Sequence, residues 1–285
     1  CAMEARPPIK IHILHCGTVS VSPSVPEGGL SLGGALGGVF CPESRRVTLP
    51  VSCYLIEHPA GRVLVDTGIS RDISPDGVFD RKAANRILPP YLTDFFRPSV
   101  EKGCTAVEKL EGLGIAPVDL DIVLLTHLDP DHTAGLRSLR NAKRRLMPQE
   151  EFFWSCRTVF RVRQPWNLWV DEDTEYFWFK GTGIGPNWWS YDLFGDGSVT
   201  LVSLPGHTFG HIGVKIENNG KSLILCSDAC FNGRNLSTMT VPGFGFSEKS
   251  MLRSLKWLRS EAEKPGCIGV IANHDPDVPE QVIEL

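Results

Sequence analysis

A chain of 285 residues with a net charge of −4 and a pI near 6.1 offers no basic face for nucleic acid. No apolar run approaches the ~20 residues that span a bilayer, which excludes a membrane-spanning helix. Chains up to ~250–300 residues still build one core, so residues 1–285 are expected to form a single catalytic domain.

In chain order, short apolar runs and alternation predict strands at Ile9–His15, Val47–Glu57 and Arg62–Asp66. Val100–Leu113 carries apolar residues at helical spacing and ends at Gly114, a suitable helix stop. A strand is expected at Ile122–Thr126, and the basic cluster Lys143–Arg145 reads as a solvated helix end. Further strands are expected at Val199–Leu204, Ile212–Glu217, Ser222–Cys226 and Cys267–Ala272. A helix at Glu248–Glu263 presents Met251, Leu252, Leu255, Trp257 and Leu258. Runs of strands broken by outer helices fit an α/β (α+β) fold, two packed sheets covered by helices. His12, His15 and His58 fall in or beside these strands without ligand spacing.

The densest chemistry lies in Asp121–Gly135, DIVLLTHLDPDHTAG. The apolar run Ile122–Leu125 delivers His127, Asp129, Asp131 and His132 into a turn, and Pro130 argues against helix interior over Thr126–Asp131. Two imidazoles and two carboxylates are a set that zinc, iron or manganese prefers. Alone, the segment reads equally well as an Asp-Pro turn with Asp131 capping a helix. Three more ligand types favour the metal reading, each just past an apparent strand: His207 in SLPGHTFGH, Asp228 after Ser222–Cys226, and His274 after Cys267–Ala272.

With these motifs the chain resembles the metallo-β-lactamase superfamily, whose His-x-His-x-Asp-His signature is followed by His, Asp and His. VLVDTG at Val63–Gly68 is similar to its early strand and turn, LPGHTFGH to its second motif and SDAC to its third. The ending ANHDPDVPEQVIEL resembles that of the N-acyl homoserine lactonase branch, and the likeness runs from near Ile9 to the tail. The resemblance implies a four-layer αββα sandwich and two divalent metal ions, zinc foremost. It implies His127, Asp129 and His207 at one ion and Asp131, His132 and His274 at the other, with Asp228 bridging. The implied activity is hydrolysis of a lactone, ester or related acyl compound by a metal-activated water, which Asp131 also orients. His211 shares the His207 motif but is expected to hold structure by hydrogen bonds.

Two positions depart from the family pattern. Asp129 stands where the family has its second histidine. A carboxylate there adds charge and a hard donor, which shifts preference toward iron or manganese, or alternatively empties the first site. Phe231 stands where the lactonases carry a tyrosine that bonds the substrate carbonyl. It is expected at the substrate but supplies no hydroxyl, and losing one oxyanion donor lowers rates on the order of 100-fold or more. Thioester, phosphodiester and β-lactam substrates stay open as alternatives, as does a non-hydrolytic redox or sensor protein.

Phe152–Trp189 holds Trp154, Trp166, Trp169, Trp178, Trp188 and Trp189 of the seven tryptophans. This insertion, at about 150–190, is expected to be a satellite core, a pocket wall or both. A wall would suit a small-molecule substrate with an apolar acyl or aryl group. Gly28–Gly38, GGLSLGGALGG, reads as a mobile loop, with a lid or a homodimer contact as the sharper alternative. Nine cysteines form no regular framework and favour a reducing, cytoplasmic setting, with a removed leader or lipidation at Cys1 left open. Cys226 and Cys230 flank Asp228, where a sulfur ligand is the less favoured reading.

Overall fold

The computed structural model describes residues 6–29, 38–157, 163–170 and 173–285. One mixed sheet contains β1 (Lys10–Val21), β2 (Val47–His58), β3 (Gly61–Val65), β4 (Ile122–Leu124), β5 (Arg144–Pro148) and β6 (Glu175–Phe177), with β13 (Gln281–Glu284) outside β1. The other runs β12-β11-β10-β9-β8-β7, built from β7 (Lys180–Gly181), β8 (Trp189–Asp192), β9 (Val199–Ser203), β10 (Ile212–Asn218), β11 (Lys221–Ser227) and β12 (Cys267–Ala272). Alternation along the strands builds the layers. Ile11, Ile13, Tyr54, Ile56, Val63 and Val65 from the first sheet meet Leu201, Val214, Ile216, Leu223 and Leu225 from the second in one buried cluster. The first sheet's opposite face, with Leu55, Leu64 and Val123, packs on Leu92, Phe95, Phe96 and Leu110. The second sheet's outer face, with Val202, Leu204, Ile224 and Cys226, lies under Met251, Leu255 and Leu258 of the helix Glu248–Ala262. This is the expected αββα order. Among the described residues no helix is long and apolar enough to cross a membrane.

Several elements differ from expectation for identifiable reasons. The helix expected over Val100–Leu113 spans only Ala106–Gly112. Thr105 accepts from the Glu108 N–H while the Glu108 carboxylate accepts from the Thr105 N–H, and this capping box fixes the start. Lys143–Arg145 is no helix end: Arg144 pairs with Ile122 as β5 opens beside β4, and Arg145 is buried against the Arg140 and Ala142 carbonyls. The strand at Ile122 stops at Leu124 because the Thr126 N–H leaves the ladder for Asp66 Oδ1 at 2.8 Å. β1 runs past His15 to Val21 after a register shift, where Gly17 takes φ +134° and a Cβ would meet Ile69 Cγ1 at 2.6 Å. The tail forms β13, antiparallel to β1.

His12 bonds Glu57 at 2.7 Å, His15 reaches the Val278 carbonyl at 3.1 Å, and His58 stacks on Phe194 at 4.2 Å, so all three serve the scaffold. Cys1, most of the glycine-rich segment (30–37), and 158–162 and 171–172 of the tryptophan-rich segment lie outside the described residues.

Candidate metal centre

Every proposed ligand emerges at the C-terminal end of a strand or in the loop just beyond it. β4 leads to His127, Asp129, Asp131 and His132, β9 to His207, β11 to Asp228 and β12 to His274. β11 and β12 are parallel neighbours, which places Asp228 beside His274. Pro130 opens a one-turn helix, Pro130–Thr133, where its missing N–H costs nothing. Asp129 occupies the N-cap position but makes no side-chain cap bond, and Asp131 lies inside the turn rather than capping it. These carboxylates face the pocket.

All seven residues are buried, and three overlapping groups of donor atoms converge: His127, Asp129 and His207; His127, His132 and Asp228; Asp131, His132 and His274. Each imidazole is turned by a bond at its far nitrogen, the arrangement that aims Nε2 at a metal. His132 Nδ1 meets Asp66 Oδ2 at 2.8 Å, His274 Nδ1 the Pro50 carbonyl at 2.8 Å, His207 Nδ1 the Phe244 carbonyl at 3.0 Å and His127 Nδ1 the Thr126 hydroxyl at 3.0 Å. Asp228 Oδ2 lies 3.2 Å from His274 Nε2 and 3.3 Å from His207 Nε2, and Asp131 Oδ2 lies 3.4 Å from His274 Nε2. His127 Nε2 and Asp228 Oδ1 are buried with no hydrogen-bond partner among the described residues. Buried groups of this kind are normally satisfied, so two orphaned acceptors in one pocket fit a cation.

The charges agree. Burial alone would push the Asp228 carboxyl up, but His274 and His132 outweigh it and hold the group well below its usual range. Burial opposes charging of His132, yet Asp228, Asp66 and Asp131 carry its imidazole well above 6.5, and Asp228 similarly raises His274. Burial raises the Asp131 carboxyl. The scaffold stores strain here too: Asp66 has φ +60° and Ser227 φ +48°, both tied to the Thr126 hydroxyl.

His211 has the structural role expected of it. Its Nδ1 donates to the Leu204 carbonyl at 3.1 Å and its Nε2 accepts the Asp228 N–H at 3.1 Å, which sets that carboxylate's backbone. Cys226 and Cys230 lie 3.2 Å apart in the core beneath the helix Glu248–Ala262, and no cysteine joins the donor groups found among the described residues. Phe231 is buried against the cluster, its ring 4.7 Å from His274 and 5.8 Å from His207.

Two residues at this site went unnoticed in the sequence. Arg163 donates from Nε to both Asp129 oxygens at 2.8 Å, from Nη2 to Asp129 Oδ2, and from Nη1 to the His207 carbonyl at 3.0 Å. Burial raises the Asp129 carboxyl, but Arg163 and then His127 and His207 hold it well below the usual range. Burial and then the Arg163 charge push His207 down to about 4. Glu151, also buried, accepts from Leu128 N–H, the Gln164 amide, the Thr208 hydroxyl and Gly210 N–H at 2.6 to 3.2 Å. A carboxylate at an imidazole position calls for a nearby cation, and that was the available clue to Arg163.

The tryptophans divide. Trp166 and Trp169 pack with Phe152 and Tyr176 against the core, and Trp154 stacks on Phe209 at 4.2 Å. Phe209 continues to Phe246, over which the Arg163 guanidinium lies, so a line of aromatic rings runs to Arg163. Trp188 and Trp189 instead line a hollow with Pro186, Asn187 and Arg253 that includes none of the proposed ligands.

The family model for the metallo-beta-lactamase superfamily matches residues 46–261. The N-acyl homoserine lactonase AttM of Agrobacterium fabrum is 28% identical over 230 residues, 80% of this chain and 83% of that protein. A solved N-acyl homoserine lactone hydrolase, with the product N-hexanoyl-L-homoserine at its catalytic metal centre, has a TM-score of 0.73 at 23% identity. It covers 96% of this chain and 95% of its own. AidC, a dizinc quorum-quenching lactonase, has a TM-score of 0.62 at 14% identity, covering 96% of this chain and 90% of its own. The solved structures share the fold, the family model spans most of the strands that carry the proposed ligands, and the curated relatives include N-acyl homoserine lactonases and probable metallo-hydrolases. The chain belongs to the metallo-beta-lactamase superfamily.

Proposed function

We propose that this chain is a metal-dependent hydrolase of lactones, esters or related acyl compounds, with N-acyl homoserine lactones the first class to test. The observation that carries the reading is the convergence of strand-end imidazoles and carboxylates around the unpartnered His127 Nε2 and Asp228 Oδ1. Asp131, His132, Asp228 and His274 would hold a divalent ion, with His127 beside them, and zinc suits this donor set. When bound, the ion lowers the pKa of a water toward neutrality and polarises the carbonyl. Asp131, whose Oδ2 lies 3.4 Å from His274 Nε2, would orient the attacking water and pass on its proton. Asp66 fixes the His132 tautomer, and Trp154, Phe209 and Phe246 form an apolar lane for the acyl group.

The zinc-loaded chain should hydrolyse acyl homoserine lactones or aryl esters, and His132→Ala and Asp228→Ala should each lose both the bound ion and turnover. Phe231 favours a second reading, a metal-binding redox or sensor protein, because it supplies no hydroxyl to an oxyanion. A chain that keeps its ion yet turns over no lactone, ester, thioester, phosphodiester or β-lactam would sink the hydrolase reading in favour of that one.

A further inference from the structure

His207 Nδ1 donates to the Phe244 carbonyl, so its Nε2 carries a lone pair. That lone pair faces Asp129 Oδ2 at 3.2 Å. Two acceptors so close repel unless a cation lies between them. In the two-ion arrangement implied by the family resemblance, that cation is the first metal ion. Here it is the Arg163 guanidinium, whose Nη2 bonds Asp129 Oδ2 and lies 2.6 Å from His207 Nε2. Nε closes a fork on the same carboxylate, and Nη1 holds the His207 carbonyl. The residue is only 7% exposed, and its Cζ sits 4.0 Å from the Phe244 ring centroid. A guanidinium stays protonated at any pH a folded protein meets, so it does not leave by titration. An ion entering between Asp129 and His207 would meet its charge at contact distance.

We infer that the Arg163 guanidinium takes the place of the first metal ion, so that the chain holds a single divalent ion, at Asp131, His132, Asp228 and His274. The inference rests on the hydrolase reading for that remaining ion and deepens it. His127 Nε2, 3.6 Å from Asp129 and 4.0 Å from Asp228, stays grouped with His132 and Asp228 near the ion that remains. Asp129 is then the partner of an arginine and no longer an argument for iron or manganese. The pocket keeps a fixed positive charge that orients an anionic or carbonyl oxygen but ionises no water.

The test is the number of Zn2+ ions bound by the full chain, titrated against a chromophoric chelator and checked by elemental analysis after gel filtration. The unmodified chain is expected to saturate at one ion, and both Arg163→Met and the double variant Asp129→His/Arg163→Met at two. Two tightly bound ions in the unmodified chain overturn the inference and leave the hydrolase reading standing. One ion in either variant also overturns it, since the guanidinium would not be what excludes the second. No ion in the unmodified chain overturns both. If a variant fails to fold, the stoichiometry of the unmodified chain still decides.

Discussion

Phe231 packs its ring against His274 and His207, two of the residues grouped around the unpartnered carboxylate oxygen of Asp228. A hydroxyl on that ring would add a donor to a pocket rich in acceptors. Phe231→Tyr should therefore raise kcat/KM for a lactone by about 10- to 100-fold, the scale of one oxyanion donor. Steady-state hydrolysis of an acyl homoserine lactone checks it, and an unchanged or lower value would mean the carbonyl lies elsewhere. At this scale the cluster of candidate ligands was legible because each sits just past an apolar run, a pattern that survives without structure. Arg163 was not, because it reaches Asp129 across 34 positions of sequence from a segment whose outstanding signal was tryptophan. A buried arginine has no periodicity to betray it.

The ligand loops are also fastened to one another. Glu151, on the helix Gln149–Ser155, joins the His127–Asp129 loop, the Arg163–Gln164 segment and the His207–His211 loop through one carboxylate. Gly210 makes this possible, since a Cβ there would meet the Glu151 N atom at 2.1 Å. Glu151→Ala leaves the Leu128 and Gly210 N–H groups buried without acceptors, at about 1–3 kcal/mol each. The melting temperature should drop by roughly 4–24 °C, at ~2–4 °C per kcal/mol for a chain of this size. Metal affinity should drop with it; a variant that melts like the parent would show that water replaces the carboxylate. Long buried strands were readable because their apolar runs exceed any turn. β5 was not, since Lys143–Arg145 reads as surface until Arg145 is seen to bury its charge on backbone carbonyls. The false helical start at Val100 reflects apolar spacing outside the reach of the Thr105 cap.

Across the whole molecule the pocket pins the two sheets together, because β4 belongs to one and β9, β11 and β12 to the other. Protonation of this pocket therefore feeds into global stability once metal is chelated. His132 and His274 have folded values above 6.5, so their contribution is complete below about 6.5 and disappears as pH rises through those values. His207, near 4, and His211 are lowered, chiefly by burial, so their contribution is complete above about 6.5 and shrinks as pH falls toward the folded values. The chelated protein should accordingly be most stable near pH 6.5, and added Zn2+ should raise its melting temperature most on the alkaline side. Melting curves in EDTA from about pH 5 to 8.5 check this. A steady rise with pH would contradict it.

The mutual grip of Asp129 and Arg163 also bears on ancestry. Removing either partner of a buried ion pair leaves an uncompensated charge, at about 3–5 kcal/mol. A lineage that exchanges the encoded cation for a captured one meets that cost at any single step in which no ion compensates the orphaned charge. Loss of the arginine is therefore tolerable only where an ion is at hand to take its place, so metal supply, more than substrate, decides when the exchange is open.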